Sequence, residues 1–229
     1  MILERRHKFN FDNMKLDFLV SGLQPDEVVG MFKDMIHMRQ IYNAAMKEIS
    51  TKLEILDDEF LTKHDRNPIH HMECRLKQPQ SIFEKLKRKN LDLSVDSAMK
   101  NITDIAGIRV ICHYISDIYT IANLLLKQDD VMLLKRTDYI ENPKANGYRS
   151  LHLVVSIPVF LAEETQRTAV EIQIRTIAMD FWASLEHQLR YKSDTILKEN
   201  LQNELTDCAL SISAIDQKMQ EIFNKIYSE

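Results

Sequence analysis

The sequence predicts an α/β fold of the α+β kind: a mixed central β-sheet of about five strands flanked by helices, with helical extensions at both ends. Three observations predict it. Five short segments rich in β-branched and aliphatic residues read as strands, helix-period segments stand between them, and long apolar-periodic stretches lie outside the strand-bearing region. At 229 residues, 45% hydrophobic and 28% charged, with four Gly and five Pro, the chain can bury a sizeable core without metal or disulfide.

Met31, Met35, Met38, Tyr42, Ala45, Ile49, Leu53, Leu56 and Phe60 recur three or four apart, which predicts one or two long amphipathic helices from Pro25 to about Leu61. Pro25 suits the first turn. "DRNP" at 65 to 68 breaks the pattern, and "IHHMECR" alternates as a short strand. "QPQSIFEKLKRKN" opens on a proline, spaces Ile82, Phe83 and Leu86 as a helix does, and ends in cations that complement a helix C-terminus. "IRVICHY" (108 to 114) reads as a buried strand and "DIYTIANLLLKQ" as a helix. "VMLLKRTDYI" and "SLHLVVSIPVFL" read as two more strands. In "TAVEIQIRT" (168 to 176) the alternation puts Glu171, Gln173 and Arg175 on one face and Ile172 and Ile174 on the other. A helix follows from about Ala178.

The tail carries Leu201, Leu205, Cys208, Ile212, Ile215, Met219, Ile222 and Ile226 in a 4,3,4,3 spacing. Such a seam needs a partner, either the long N-terminal helix of the same chain or the same element of another subunit. The expected organisation is therefore N-terminal helices over 1–64, a central domain over 65–192, and C-terminal oligomerisation helices over 193–229.

A net charge of −4 argues against a general nucleic-acid binder. From Arg75 to Lys100, however, seven basic residues face three acidic ones, a local patch suited to a small polyanion or simply a solvated helix face. Cys74, Cys112 and Cys208 are odd in number, far apart and without a CxxC pair, which fits a reducing cytoplasm. "MILERRHKFNFDN" has no apolar core of a signal peptide, and no uncharged apolar run approaches the roughly 18 residues of a membrane span. A soluble, cytoplasmic protein is expected.

Three constellations can carry chemistry. Asp104 precedes a Gly-containing turn into a strand, and Glu171 sits mid-strand on a polar face. Two carboxylates converging there would suit Mg²⁺, which takes one or two carboxylates plus phosphates and water; alternatively each pairs with an arginine such as Arg109 or Arg175. Arg75 and Lys77 share one side of a strand, and Ser81 and Lys85 one face of the following helix, a grouping suited to polyphosphate. No glycine-rich phosphate loop of the GxxxxGK[ST] or GxGxxG type occurs. In "ENPKANGYRSLHLVV", Gly147 stands before Tyr148, which could stack on a base while Lys144 and His152 meet phosphates, or could be a half-buried aromatic in a turn. His70, His71 and Cys74, with His64 nearby, make a poor zinc site because adjacent strand residues point to opposite faces, and Cys112 reads as core.

Together, "RLKQPQSIFEKL", "ITDIAGIRV", "NGYRSLH" and "VEIQIRTIAMDFWASLEHQLRYK" resemble, in order and spacing, the synthetase domain of the RelA/SpoT family. The last of them is similar to the form in the single-domain small alarmone synthetases, RelP-like or RelQ-like. The resemblance covers roughly residues 65 to 192 and implies a nucleotidyltransferase-like fold. It also implies transfer of the β,γ-pyrophosphate of ATP to the 3′-hydroxyl of GTP or GDP, with release of AMP. On that resemblance, Asp104 and Glu171 hold Mg²⁺, and Glu171 helps deprotonate the hydroxyl. Arg75 and Arg109 sandwich the adenine, while Lys77, Ser81 and Lys85 grip the ATP phosphates. Tyr148 stacks on the guanine, Lys144 and His152 meet the acceptor's phosphates, Asn146 and Gln173 line the same site, and Asp180 is a candidate for the guanine edge. The roughly 60 residues ahead of this region are too few for the family's hydrolase domain, so synthesis without breakdown is expected, in a homotetramer built through the terminal helices. The competing readings are another Mg²⁺-dependent nucleotidyltransferase of related fold and an inactive nucleotide- or RNA-binding module.

Overall fold

The structure, a computed structural model, describes residues 2–6, 25–192 and 199–227. The expected boundary at 193 and the Leu201 side chain lie outside the described residues. All five expected strands form: β2 (Ile69–Leu76), β3 (Ala106–Cys112), β4 (Met132–Asp138), β5 (Leu151–Phe160) and β6 (Thr165–Thr176). A sixth, β1 (Ile2–Arg6), lies in the stretch expected to be helical; five residues are too few to display a period-2 pattern. The sheet order is β1-β2-β3-β6-β5-β4, with β1 parallel to β2, β3 parallel to β6, and the other neighbours antiparallel. Pro158 falls beyond the last residue of β5 that pairs with β4, where a missing N–H costs the ladder least.

One helix, α1 (Pro25–His64), runs the whole N-terminal periodic segment and ends where Asp65 adopts a left-handed φ of 54°. The N-terminal helical extension packs across one face of the sheet. Its Met35, Met38, Ala45, Ile49 and Leu53 share a single core with Ile108, Val110, Leu153, Val155, Ile172 and Ile174, all nearly inaccessible to water. The short helices α2 (Pro79–Arg88) and α3 (Val95–Asn101) follow β2; the hydroxyl of Ser94 caps α3 by accepting from the Ser97 N–H at 3.1 Å. Ser and Asp at 94 to 97 carry too little periodicity to announce that helix in the sequence. Then α4 (Ile115–Leu126) buries Ile118, Ile121 and Leu125 in the same core.

The other face of the sheet is left open at its centre. At its margin stands α5 (Ile177–Lys192), and across α5 and α4 lies α6 (Glu199–Tyr227). Of the two partners the seam allowed, α1 is not the one: α6 packs on α5 and α4. The inward side of α6 is a different stripe, Ala209, Asp216 and Gln220, all under 8% exposed, while Ile215, Met219, Ile222 and Ile226 of the seam are 43–64% exposed. Gln220 accepts from the Ser116 N–H at the start of α4 (2.8 Å), Asp216 accepts from the Thr176 hydroxyl (2.8 Å), and the Trp182 indole donates to the Leu205 carbonyl (3.2 Å).

Candidate active site

The pleat places Glu171 and Gln173 on the open face of β6, while Val170, Ile172 and Ile174 enter the core. In register beside them are Gly107 and Arg109 of β3 and His152 and Val154 of β5. Arg75 of β2 pairs with Gly107, so its side chain lies on the same face. A cleft of about 730 Å³ opens over this surface, closed at one side by α5. Of the residues singled out in the sequence, all but Ser81, Lys85 and Asp180 line it.

Asp104 sits in the turn that enters β3. Its Oδ2 receives Lys77 Nζ at 2.9 Å and Lys85 Nζ at 2.8 Å, so Lys85 reaches the cleft's floor from α2. Its Oδ1 is buried and has no hydrogen-bond partner. Burial alone would raise the Asp104 carboxyl, but hydrogen bonds from Lys85 and Lys77, together with their charges, outweigh it and hold the group below its ordinary value. Glu171 follows the same logic: burial raises it, and the His152 and Gln173 hydrogen bonds bring the net below the usual glutamate value. Both carboxylates line the same cleft, and the charge of Asp104 is felt at Glu171. Neither acid is neutralised by Arg109 or Arg175, the alternative the sequence left open. Arg109 pairs with Glu73 at 3.2 Å and lies 3.6 Å from Asp180, and Arg175 pairs with Asp180 at 3.1 Å.

The loop before β5 makes the other half. The Gly147 N–H bonds the Lys144 carbonyl at 2.8 Å, closing a tight turn in which Gly147 takes a φ of 83°. A side chain there would be strained, and a Cβ would collide with the Ala209 methyl, which answers why a scarce glycine stands at this point. Tyr148 is half-buried. Its hydroxyl receives Arg175 Nη2 at 2.6 Å and lies 2.8 Å from His152 Nε2, whose other nitrogen is 3.6 Å from Glu171. Lys144 Nζ stands 4.6 Å from the ring centres of both Tyr139 and Tyr148. Asn146 donates to Glu186 of α5 at 3.1 Å, and the Gln173 amide is fixed between Glu171 Oε2 (3.0 Å) and Arg175 (2.7 Å).

Ser81 lies on the Lys85 face of α2, outside the cleft's lining, and Asp180 is engaged by Arg175 and Arg109 rather than lining it. Sequence reasoning named Arg175 only as a possible partner of the acids and passed over Glu73, Tyr139, Glu186 and His187. Arg175 shares the alternation of Glu171 and Gln173 and so was visible as a neighbour; the others carry no local signal. Among the described residues no three His, Cys, Asp or Glu side chains gather as a metal site. Two carboxylates in one cleft, one with an unpartnered buried oxygen, instead fit a hard ion that keeps phosphate and water in its shell.

A nucleotidyltransferase-like domain, presenting two carboxylates among lysines and arginines on an open sheet face, is the class that fold and cleft define. Residues 74–196 match the family described as the region found in RelA / SpoT proteins, and the chain belongs to that family. It is 40% identical over 201 residues to GTP pyrophosphokinase YwaC of Bacillus subtilis strain 168, spanning 88% of this chain and 96% of that one. The crystal structure of small alarmone synthetase 2 from Bacillus subtilis is 42% identical with a TM-score of 0.74, over 81% of this chain and 97% of that one. That of small alarmone synthetase 1 from the same organism, bound to its product pppGpp, is 33% identical with a TM-score of 0.77, over 85% and 99%.

Proposed function

We propose that the chain is a (p)ppGpp synthetase that transfers the β,γ-pyrophosphate of ATP to the 3′-hydroxyl of GTP or GDP and releases AMP. Its relatives along nearly their whole length are named for this activity. The observation that carries the reading is the junction at Asp104: a buried carboxylate with one oxygen held by Lys77 and Lys85 and the other unpartnered, in one cleft with Glu171.

Arg75 and Arg109 are the adenine clamp, and Lys77 and Lys85 lie where the donor phosphates come to rest, with Ser81 at the first turn of α2 beside them. Tyr148 supplies the stacking face for guanine, with Asn146, Gln173 and Asp180 around its edge. Lys144 leaves the tyrosine rings to meet the acceptor's phosphates together with His152. Asp104 and Glu171 would hold Mg²⁺, which when bound offsets negative charge gathered on the donor phosphates. Glu171, ionised at neutral pH, accepts the proton of the 3′-hydroxyl as that oxygen bonds to the β-phosphorus. The bond from the β-phosphorus to the bridging oxygen breaks, and AMP leaves with that oxygen. The remaining contribution of the protein is alignment of the two nucleotides. The exposed seam of α6 is proposed as the surface through which a homotetramer forms. No helix among the described residues is long and apolar enough to cross a membrane; we place the activity in the cytoplasm, where both substrates are.

Incubation with Mg²⁺, GDP and γ-labelled ATP is expected to put label on a guanosine tetraphosphate and release AMP. Transfer of AMP with release of pyrophosphate would overturn the reading. Asp104→Asn and Glu171→Gln should each lower turnover by about a thousandfold or more, the several kcal/mol a metal contributes to such a transition state.

A further inference from the structure

The loop that carries Lys144, Asn146 and Tyr148 has no strand neighbour of its own. Inside the loop, the turn at Gly147 and a bond from the Tyr148 N–H to Asn146 Oδ1 (3.3 Å) set its shape. Two of its outside supports come from α6. Gly147 sits against Ala209 so closely that one added methyl would collide. Arg149, the next residue after the tyrosine, donates from Nη1 to the hydroxyl of Ser213, one turn of α6 further on. Around this junction is a water-sized void of about 10 Å³ lined by Gly147, Arg149, Trp182, Ala209, Ser213 and Asp216. Arg149 Nε is buried there without a hydrogen-bond partner. The helix is itself pinned on both sides of this point, by Trp182 to Leu205 and by Thr176 to Asp216. Thr176 ends the strand that bears Glu171, so loop and catalytic strand are referenced to one rigid element.

We propose that α6 is the seat of the acceptor loop, with Ala209 and Ser213 as positioning residues that set the Tyr148 ring through Gly147 and Arg149. Neither side chain lines the cleft. The inference rests on the acceptor being a guanosine nucleotide stacked on Tyr148, and it assigns to the C-terminal helix a part in acceptor recognition separate from any role in assembly. Among the described residues no hydrogen bond or ion pair joins Ala209 or Ser213 to the donor half, built on β2, α2 and the turn at Asp104, so the two substrates respond differently.

The test uses the full chain and GDP as probe. Ser213→Ala removes the acceptor of the Arg149 hydrogen bond, Ala209→Val presses on Gly147, and Ser213→Thr restores the hydroxyl. Titration calorimetry should show the GDP Kd about tenfold weaker in Ser213→Ala, the scale of a lost charge-assisted hydrogen bond, and near wild type in Ser213→Thr. In turnover assays the acceptor KM should rise by a similar factor while the ATP KM stays within about twofold, because only the ground-state hold on one substrate is altered. A GDP Kd unchanged in both Ser213→Ala and Ala209→Val, or equal rises in the two KM values, would overturn the proposal. Wild-type chain that binds GDP but makes no tetraphosphate would overturn the reaction assigned above and leave this inference standing. Wild-type chain that binds no GDP would overturn both.

Discussion

Tyr148 is held by its polar end. Arg175, 4% exposed, forks to the Tyr148 hydroxyl, the Gln173 amide and Asp180, a geometry that a lysine could not reproduce. In the free protein the ring carries the Lys144 ammonium at 4.6 Å and the Arg175 guanidinium at 5.1 Å from its centre, and a stacked base would displace the lysine. Tyr148→Ala should raise the KM for GTP or GDP by about tenfold to a hundredfold, the worth of one base stacked on an aromatic ring, and leave the ATP KM nearly unchanged. Tyr148→Phe should raise it less. Equal effects on both substrates in steady-state kinetics would count against the stacking role. The two cleft carboxylates give a pH prediction of defined sign. Both lie below their ordinary values of 3.8 and 4.5, so each contributes stability that is fully present above those values and lost as pH falls through the folded-state ones. Asp104→Asn should therefore flatten the acid side of a profile of melting temperature against pH. Individually these residues were legible: a carboxylate at a strand entrance, a carboxylate in a polar stripe, a glycine before a tyrosine. What the sequence hid was their pairing, since Lys85 on Asp104 and Arg175 on Tyr148 depend on which strands become neighbours.

At the level of elements, α6 shows how a strong pattern can point away from the fold. Its apolar heptad positions beyond Ile212 are exposed, and the helix docks through Ala209, the half-buried Ile212 and two polar residues. Periodicity reports which side chains avoid water, not which surface they will find. The docking has a measurable signature. Burial raises the Asp216 carboxyl, and the Thr176 hydroxyl and Arg149 charge offset this only partly, so the folded protein binds that proton more tightly than the unfolded chain. Stability from this group is thus lost as pH rises from 3.8 through the folded-state value. Asp216→Asn, which keeps an oxygen for Thr176, should raise the melting temperature at pH 7 and lose that advantage below pH 3.8. A lower melting temperature at pH 7 would show that the Arg149 charge matters more than burial. The long helix α1 covers nearly the stretch its periodicity marked, from Pro25 to about Leu61, and the structure makes it one helix where the pattern allowed one or two.

Across the whole molecule, Arg66 ties three parts together. It makes a two-pronged ion pair with Asp117, which is 1% exposed, and its guanidinium lies 5.0 Å from the ring centre of Phe60 in α1 and 4.6 Å from that of Phe223 in α6. Arg66→Ala would strand a buried carboxylate and should cost about 3–5 kcal/mol in urea unfolding. The more exposed Lys52–Asp130 pair should cost under about 1 kcal/mol when broken. For assembly, Ile215→Glu combined with Ile222→Glu should convert the chain to a smaller species by light scattering if the seam joins subunits. The sheet's topology was beyond the sequence: strand patterns gave five members but not their order, because which strands become neighbours is decided by pairings far apart in the chain. That order carries a consequence for how the protein comes into being. Gly107 and Glu171 are lateral neighbours in the only parallel pairing between the halves of the cleft, yet they are separated by the whole of α4, β4 and β5. Asp104 and Glu171 therefore come to share a cleft only after a long loop closes, so a nascent chain can acquire much of its core before β6 has been synthesised and seated beside β3.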